Sequence, residues 1–171
     1  MTHIMIDLET MGTRPNAPIV AIGAVGFTKT EVRVDTAFEV NIDLEDAIRQ
    51  GGVPSKSTQV WWAQQSQEAQ DAWKTNPHTV VDALAKFEQW LWTQGRLEGI
   101  WGCGSDFDNV LLSETHVRIG RKLPWRFYMN RCYRTMKALN PDVVMDRKGT
   151  YHRSVDDAIS QAQHLVRMNV L

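Results

Sequence analysis

The chain has 171 residues, of which 43 % are hydrophobic and 23 % are charged, so a disordered chain is excluded and one domain is expected. The longest apolar run is Ile19–Phe27, whereas a membrane span needs about 20 residues, which predicts a soluble protein with no membrane partner. The net charge of −1 hides ten Lys or Arg against two acids within residues 118–153. This surplus predicts either solvated helix faces or a basic surface for a polyanion.

The N-terminus and the cysteines indicate a cellular compartment. No basic segment precedes the first apolar residues, and Asp7 and Glu9 follow soon after, so we expect no signal peptide. The two cysteines, Cys103 and Cys132, are too few for a disulfide framework and lack the spacing of metal ligands. We therefore expect a reducing, cytoplasmic setting.

Three strands are predicted near the start of the chain. Apolar runs and alternation place them over His3–Leu8, Ile19–Phe27 and Arg33–Ile42. The short connection Thr28–Val32 predicts a hairpin between the second and third strands.

Helices are predicted over most of the remaining chain. The first begins near Ser55, Ser57 or Thr58 as N-cap and runs towards Trp73; the others cover Thr79–Thr93, Phe107–Ile119, Met129–Leu139 and Val155–Arg167. One further strand, Ile100–Cys103, leads into Gly104. These elements predict one α/β domain over residues 1–171, with a mixed β-sheet flanked by α-helices.

Two acids end the first predicted strand. Asp7 and Glu9 are two residues apart, so both side chains point to the same face of the strand. A solvent-facing strand end explains such a pair on its own. The alternative is a divalent cation, because Mg²⁺ and Mn²⁺ prefer hard oxygen ligands and would offset the repulsion.

Two more polar clusters lie further along the chain. Asp106 and Asp108 follow a strand and precede a helix, so either they favour the helix dipole or one of them ligates a metal. His152 precedes the last predicted helix, where Ser154 and Asp157 form a Ser-x-x-Asp capping pattern. Each cluster alone is explained by ordinary surface or capping roles.

The order of the three clusters is more specific than any one of them. Asp7-x-Glu9-Thr10, then Phe107-Asp108, then His152 with Asp157 five residues later, together resemble the motifs of the DEDDh family of 3′–5′ exonucleases. Trp61-Trp62 and Trp101-Gly102-Cys103-Gly104 are similar to the small phage and prophage exonucleases of this family and to the bacterial ribonuclease AS. The resemblance covers nearly the whole chain and implies a ribonuclease H-like fold.

The resemblance also implies catalytic roles. Asp7, Glu9, Asp108 and Asp157 would ligate two Mg²⁺ or Mn²⁺ ions, and His152 would take the proton of the attacking water. Asp108 is preferred to Asp106 because the acid of the family motif follows a phenylalanine. The angle between residues two apart on a helix further predicts that Asp106 and Asp108 cannot both reach the ions.

Substrate contacts are expected on two surfaces. The resemblance implies that the strand end forms a wall against the terminal nucleotide, with Thr10 and the backbone of Glu9 reading its 3′-hydroxyl. The residues expected at this wall are Leu8, Thr10, Met11, Gly12 and Phe107, and those expected in a basic groove are Arg131, Arg134 and Lys137, with Arg126 as a further candidate. The helical tryptophans are expected in the core.

The sequence predicts a nuclease with a nucleic-acid partner. We expect release of 5′-nucleotides from the 3′ ends of single-stranded DNA. The alternatives are the same chemistry on RNA, and an inert ribonuclease H-like binding module, against which the complete set of four acids and a histidine argues. Whether the chain is a monomer or a homo-oligomer is left open.

Overall fold

One mixed five-stranded sheet organises the protein, which is described over residues 1–171 by a computed structural model. Its strands are β1 (Thr2–Thr10), β2 (Ile19–Phe27), β3 (Phe38–Asn41), β4 (Leu97–Gly102) and β5 (Asn130–Cys132). They lie in the order β3-β2-β1-β4-β5. The first three strands pair antiparallel, whereas β4 runs parallel to β1 and β5 runs parallel to β4. The predicted mixed α/β sheet is therefore confirmed.

Seven α-helices accompany the sheet. They are α1 (Leu44–Arg49), α2 (Lys56–Ala63), α3 (Gln67–Ala72), α4 (Val80–Thr93), α5 (Asp108–Arg118), α6 (Tyr133–Leu139) and α7 (Ser154–Met168). Helices α4 and α5 pack in the larger core on one face of the sheet, and α6 and α7 pack in a second core on the other face. No helix combines the length and the hydrophobicity that crossing a bilayer requires.

Strand β1 lies in the middle of the sheet, and its side chains alternate between the two faces. Ile4, Ile6 and Leu8 pack into the larger core, whereas Met5 packs into the core that contains α7. Successive side chains of a strand point to opposite faces. Asp7 and Glu9 follow Met5 at intervals of two residues, so their side chains point to the same face of the sheet as Met5, where α7 packs.

A glycine lets α7 approach the sheet closely beside these acids. Gly23 on β2 is paired with Asp7 on β1. A Cβ at Gly23 would lie 2.1 Å from the carbonyl carbon of Ser154, the first residue of α7. Only a residue without a side chain fits there, and this contact brings the N-terminal turn of α7 next to the end of β1.

Two predicted segments end differently in the structure. Of the predicted third strand Arg33–Ile42, only Phe38–Asn41 joins the sheet as a strand, because Val34–Thr36 forms a 3₁₀ turn. The single helix predicted up to Trp73 is two helices, since Ser66 caps a new helix by accepting a hydrogen bond from the Ala69 amide.

Two other elements escaped prediction. The segment predicted as a helix from Met129 begins with a 3₁₀ turn and strand β5, and its helix starts only at Tyr133. This strand is three residues long and exists through its pairing with β4, which no local pattern encodes. Helix α1 was not predicted; Asp43 caps it by accepting a hydrogen bond from the Asp46 amide.

Candidate active site

Four segments of the chain bring the five residues of the sequence motifs into one cavity. Asp7 and Glu9 come from the end of β1, Asp108 is the first residue of α5, and Asp157 lies in the first turn of α7. His152 comes from the loop before α7. All five line a cavity of about 220 Å³.

Asp108 is held by the backbone of β1. Its Oδ1 atom accepts a hydrogen bond of 3.1 Å from the Leu8 amide, and the residue is 2 % exposed. Gly102, at the end of β4, makes room for it, because a Cβ there would lie 2.9 Å from the Asp108 Cβ. Asp106 is exposed and does not line the cavity. The sequence analysis separated the two aspartates by the angle between residues two apart on a helix. That argument is wrong, since Asp106 lies before the helix and Phe107 is the N-cap residue of α5.

Asp157 also has a different local role from the predicted one. Arg153 is the N-cap residue of α7, no side chain caps the helix, and the Ser154 hydroxyl is buried without a partner. The Ser-x-x-Asp capping interpretation is therefore wrong. Asp157 instead accepts a hydrogen bond of 3.1 Å from the His152 amide at Oδ2 and pairs through Oδ1 with Arg147.

His152 is held in an unusual conformation between two aromatic rings. Its φ angle is 63°, in the left-handed region that non-glycine residues rarely adopt. Its ring centroid lies 4.8 Å from that of Trp61 and 3.7 Å from that of Tyr151. A ring nitrogen and carboxylate oxygens of Glu9 and Asp157 all lie within 4.8 Å of one another. Such backbone strain occurs at functional sites where the surroundings enforce it.

The carboxylates of the cavity repel each other in a poorly solvated space. Burial, followed by the nearby Asp108 charge, raises the pKa of Asp7 well above its usual value. Burial and the charges of Asp7 and Asp108 do the same for Glu9. Burial raises the pKa of Asp108 to about 7, although the Leu8 amide opposes the shift. The pKa of His152 is lowered by burial and then by Arg147. Without counter-charges this cluster is unfavourable.

The donor set of the cavity fits a divalent cation. Glu9 Oε1 and Asp108 Oδ2 are buried and have no hydrogen-bond partner, although buried polar atoms normally have one. Asp7 accepts a hydrogen bond of 2.7 Å from the Gln161 side chain, one turn beyond Asp157 on α7. Several carboxylate oxygens pointing into one space are the ligands that Mg²⁺ and Mn²⁺ prefer. We refer to Asp7, Glu9, Asp108 and Asp157 as the carboxylate cage.

A second cavity, of about 390 Å³, adjoins the cage and shares Leu8, Glu9 and Phe107 with it. We call it the nucleoside-sized pocket. Its other lining residues are Thr10, Gly12, Thr13, Ser57, Thr58, Trp61 and Trp62. Met11 does not line it, contrary to the prediction. The side chain of Met11 is buried in a small core with Trp62, which itself lines the pocket.

The residues of the predicted basic groove separate in the structure. Arg134 lines the cage cavity and donates a hydrogen bond of 2.8 Å to the Cys103 carbonyl. Arg134 and Lys137 also line a neighbouring surface cavity of about 680 Å³. Arg131 instead lines a different cavity with His3 and Trp101, at the opposite end of β1 from the cage. The basic stretch is not one surface, since Arg121 pairs with Glu88 and Arg153 with Glu39.

Sequence reasoning missed three residues of the site. Gln161 follows Asp157 by four residues, a spacing that places both on one helix face and that a helical projection shows. Trp61 was assigned to the core with the other helical tryptophans, but it is 39 % exposed and forms part of the pocket wall. Arg147 lies in the loop between α6 and α7; it belongs to the basic stretch 118–153 but was not among the residues expected in the groove.

Comparison with known proteins agrees with this geometry. A family model described as the 3′–5′ exoribonuclease Rv2179c-like domain matches residues 2–168. Among curated protein sequences, none matches the chain.

Solved structures with the same fold include several nucleases. The nuclease domain of 3′hExo, a DEDDh family member bound to rAMP, has a TM-score of 0.66 and 16 % identity, over 98 % of this chain and 90 % of that chain. A 3′-exonuclease in a study of 3′-end specific recognition of a histone mRNA stem-loop has a TM-score of 0.61 and 15 % identity, over 98 % and 80 %. Cell-death related nuclease 4 (CRN-4) has a TM-score of 0.57 and 16 % identity, over 98 % and 63 %. These likenesses confirm the predicted fold.

Proposed function

Because the chain belongs to the family of Rv2179c-like 3′–5′ exoribonuclease domains, we propose that it removes 5′-nucleotides one at a time from the 3′ end of single-stranded RNA. The observation that carries the proposal is the convergence of four carboxylates and His152 in one cavity beside a nucleoside-sized pocket. RNA replaces the single-stranded DNA expected from the sequence, because the family description names an exoribonuclease. The rAMP bound to the nuclease domain of 3′hExo supports the same choice.

The terminal nucleotide is proposed to occupy the nucleoside-sized pocket. Leu8 and Phe107 supply apolar walls, and the half-exposed indole of Trp61 supplies a face on which a base can stack. The Thr10 hydroxyl donates to the Gly12 carbonyl at 2.7 Å, and its oxygen keeps lone pairs that can accept a bond from a terminal hydroxyl. A free 3′ end is therefore part of what the pocket recognises.

The cage is proposed to hold two Mg²⁺ or Mn²⁺ ions through Asp7, Glu9, Asp108 and Asp157. When bound, such ions activate a water molecule and stabilise the leaving oxygen of a phosphodiester. His152 faces the same cavity and accepts the proton of the water. Its lowered pKa keeps the ring neutral, and thus able to accept a proton, at neutral pH. The rings of Trp61 and Tyr151 fix its orientation.

The order of the cavities suggests the path of the strand. The nucleoside-sized pocket shares residues with the cage cavity, and the cage cavity shares Arg134 with the cavity that Lys137 also lines. With the terminal nucleotide in the pocket, the scissile phosphate lies over the cage. The preceding nucleotides then pass Arg134 and Lys137, whose charges suit a phosphate backbone.

A gel time course tests the activity. Single-stranded RNA and DNA of one sequence, labelled at either end, are incubated with Mg²⁺, with Mn²⁺ and with EDTA. We expect a ladder from 5′-labelled RNA, immediate release of labelled mononucleotide from 3′-labelled RNA, slower cleavage of DNA and no cleavage in EDTA. Cleavage in EDTA, or cutting of a circular strand, would contradict the proposed mechanism. Faster cleavage of DNA would overturn only the choice of RNA.

The salt dependence of RNA binding tests the path. The probe is an RNA with a free 3′-hydroxyl and a phosphorothioate as its last internucleotide linkage. Arg134→Gln and Lys137→Gln should each weaken its binding and lower the slope of log affinity against log salt by about one. Arg131→Gln is the matched control, with the same change of charge at a residue outside the three cavities. Equal slopes for all three variants would refute the path.

A further inference from the structure

The carboxylates of the cage accept few hydrogen bonds, and most of those come from uncharged donors. Glu9, Asp108 and Asp157 are almost completely buried, and two of the carboxylate oxygens have no partner. Two arginines line the cavity. The guanidinium of Arg134 donates to the Cys103 carbonyl, whereas Arg147 forms the only ion pair that involves a cage carboxylate. Arg147 is thus the direct counter-charge of the cage.

The backbone around Arg147 is anchored to α7. The next residue, Lys148, donates its amide hydrogen to the Ser160 hydroxyl at 3.1 Å, and the Thr150 amide donates to Asp156 at 2.8 Å. The Arg147 side chain itself is 33 % exposed. A long side chain that reaches in from an anchored backbone and remains partly in solvent can turn away without unfolding the loop.

The guanidinium of Arg147 also contacts an aromatic ring. Its guanidinium carbon lies 4.1 Å from the centroid of the Tyr151 ring, a cation–π contact that tolerates movement across the ring face. Tyr151 lies at the same cavity, directly before His152. The side chain therefore contacts a second favourable partner besides Asp157.

The Asp157 carboxylate cannot pair with the Arg147 guanidinium and bind a divalent cation at the same time. Its Oδ2 atom is engaged by the His152 amide, and its Oδ1 atom faces Arg147. A cation bound to this carboxylate would meet a like charge at contact distance, in a space where burial weakens screening. We propose that Arg147 is an exchangeable counter-ion of the cage, which pairs with Asp157 in the metal-free protein and leaves it when a divalent cation binds.

This inference rests on the proposed function only in taking the cage as the metal site, and metal binding alone tests it. The variants are Arg147→Gln and the matched control Lys148→Gln, which makes the same change of charge one residue away on a side chain without an ion pair. The probe is Mg²⁺, measured by calorimetry without RNA. If Arg147 occupies Asp157 in about nine of ten molecules, its removal tightens the apparent Mg²⁺ affinity about tenfold. Lys148→Gln should change it less than twofold.

Melting temperatures give a second readout. In EDTA, Arg147→Gln should melt about 4 °C below the wild type, because Asp157 loses its counter-charge. In saturating Mg²⁺ the difference should disappear. In an Asp157→Asn background, Arg147→Gln should no longer lower the melting temperature in EDTA, as a double-mutant cycle requires for a direct pair.

The outcomes separate this inference from the function on which it rests. A wild-type protein that binds no divalent cation would overturn both. Normal Mg²⁺ binding with equal affinities for wild type and Arg147→Gln, or an equal gain in Lys148→Gln, would overturn the counter-ion role and leave the nuclease proposal intact. An Arg147→Gln variant that is more stable than the wild type in EDTA would overturn it as well.

Discussion

Replacing Asp108 with asparagine is expected to stabilise the metal-free protein while it abolishes turnover. The substitution keeps the size of the side chain and an oxygen for the Leu8 amide. It removes one negative charge from the cage and offers a donor at the position of Oδ2, which has no partner. The same change removes a ligand of the proposed metal site. A site that is costly to fold but necessary for activity is a known form of the stability–activity trade-off.

The magnitude follows from the pKa of this carboxyl. Burial raises the pKa of Asp108 to about 7, whereas an unfolded aspartate has a pKa of about 3.9. The unfolded chain therefore loses this proton first, and the folded state becomes less favourable as the pH rises between the two values. The full difference corresponds to about 4 kcal/mol. Because the asparagine amide stays buried and does not recover the whole of this difference, we expect about half of it, or about 2 kcal/mol, for Asp108→Asn alone.

The assay is thermal unfolding in EDTA as a function of pH. A gain of about 2 kcal/mol corresponds to about 4–8 °C in a chain of this length. The gain should be full at about pH 8 and should vanish only below about pH 3, where the Asp108 carboxyl of the wild type is mostly protonated in both states. Asp106→Asn is the matched control, since this exposed residue lies outside the cavity and should change stability by less than about 0.5 kcal/mol. It should also retain turnover.

Three results would refute this reasoning. The first is an Asp108→Asn variant that melts at or below the wild-type temperature at about pH 8 in EDTA. The second is a gain of equal size at acidic pH, which would point to packing and not to charge. The third is an inactive Asp106→Asn with an active Asp108→Asn, which would exchange the roles of the two aspartates.

Three further perturbations test other parts of the site. His152→Ala should lower turnover at least about 100-fold, while the protein still binds Mg²⁺ in calorimetry. In a pH profile of the wild type, activity should stay high below the pH at which an ordinary histidine gains its proton, because the pKa of His152 is lowered. Gly23→Ala should cost more than about 3 kcal/mol in urea unfolding, since its Cβ collides with the backbone of Ser154, and a normal stability would contradict the close approach of α7. Trp61→Ala should raise KM for RNA about tenfold through lost stacking, whereas Trp92→Ala, at a 72 % exposed residue on α4, should leave KM unchanged.

The amino-acid sequence by itself predicted the four acids and the histidine that meet in the cavity. Asp7 and Glu9 share a face because strands alternate, and Phe107-Asp108 and His152 with Asp157 complete an ordered set that resembles one nuclease family. The strand Ile19–Phe27 was predicted with the bounds that the structure has. Patterns of this kind are local, and the chain carries them whatever lies next to them in space.

Only the tertiary structure decided which charges meet and which do not. The basic residues of 118–153 are close in sequence, but Arg131 lies at the far end of β1 while Arg134 reaches the cage. Strand β5 forms because β4 is beside it, and Arg147 becomes the partner of Asp157 because the loop before α7 folds over that helix. Pairing of this kind depends on distances between segments far apart in the chain, and local propensity carries no information about those distances.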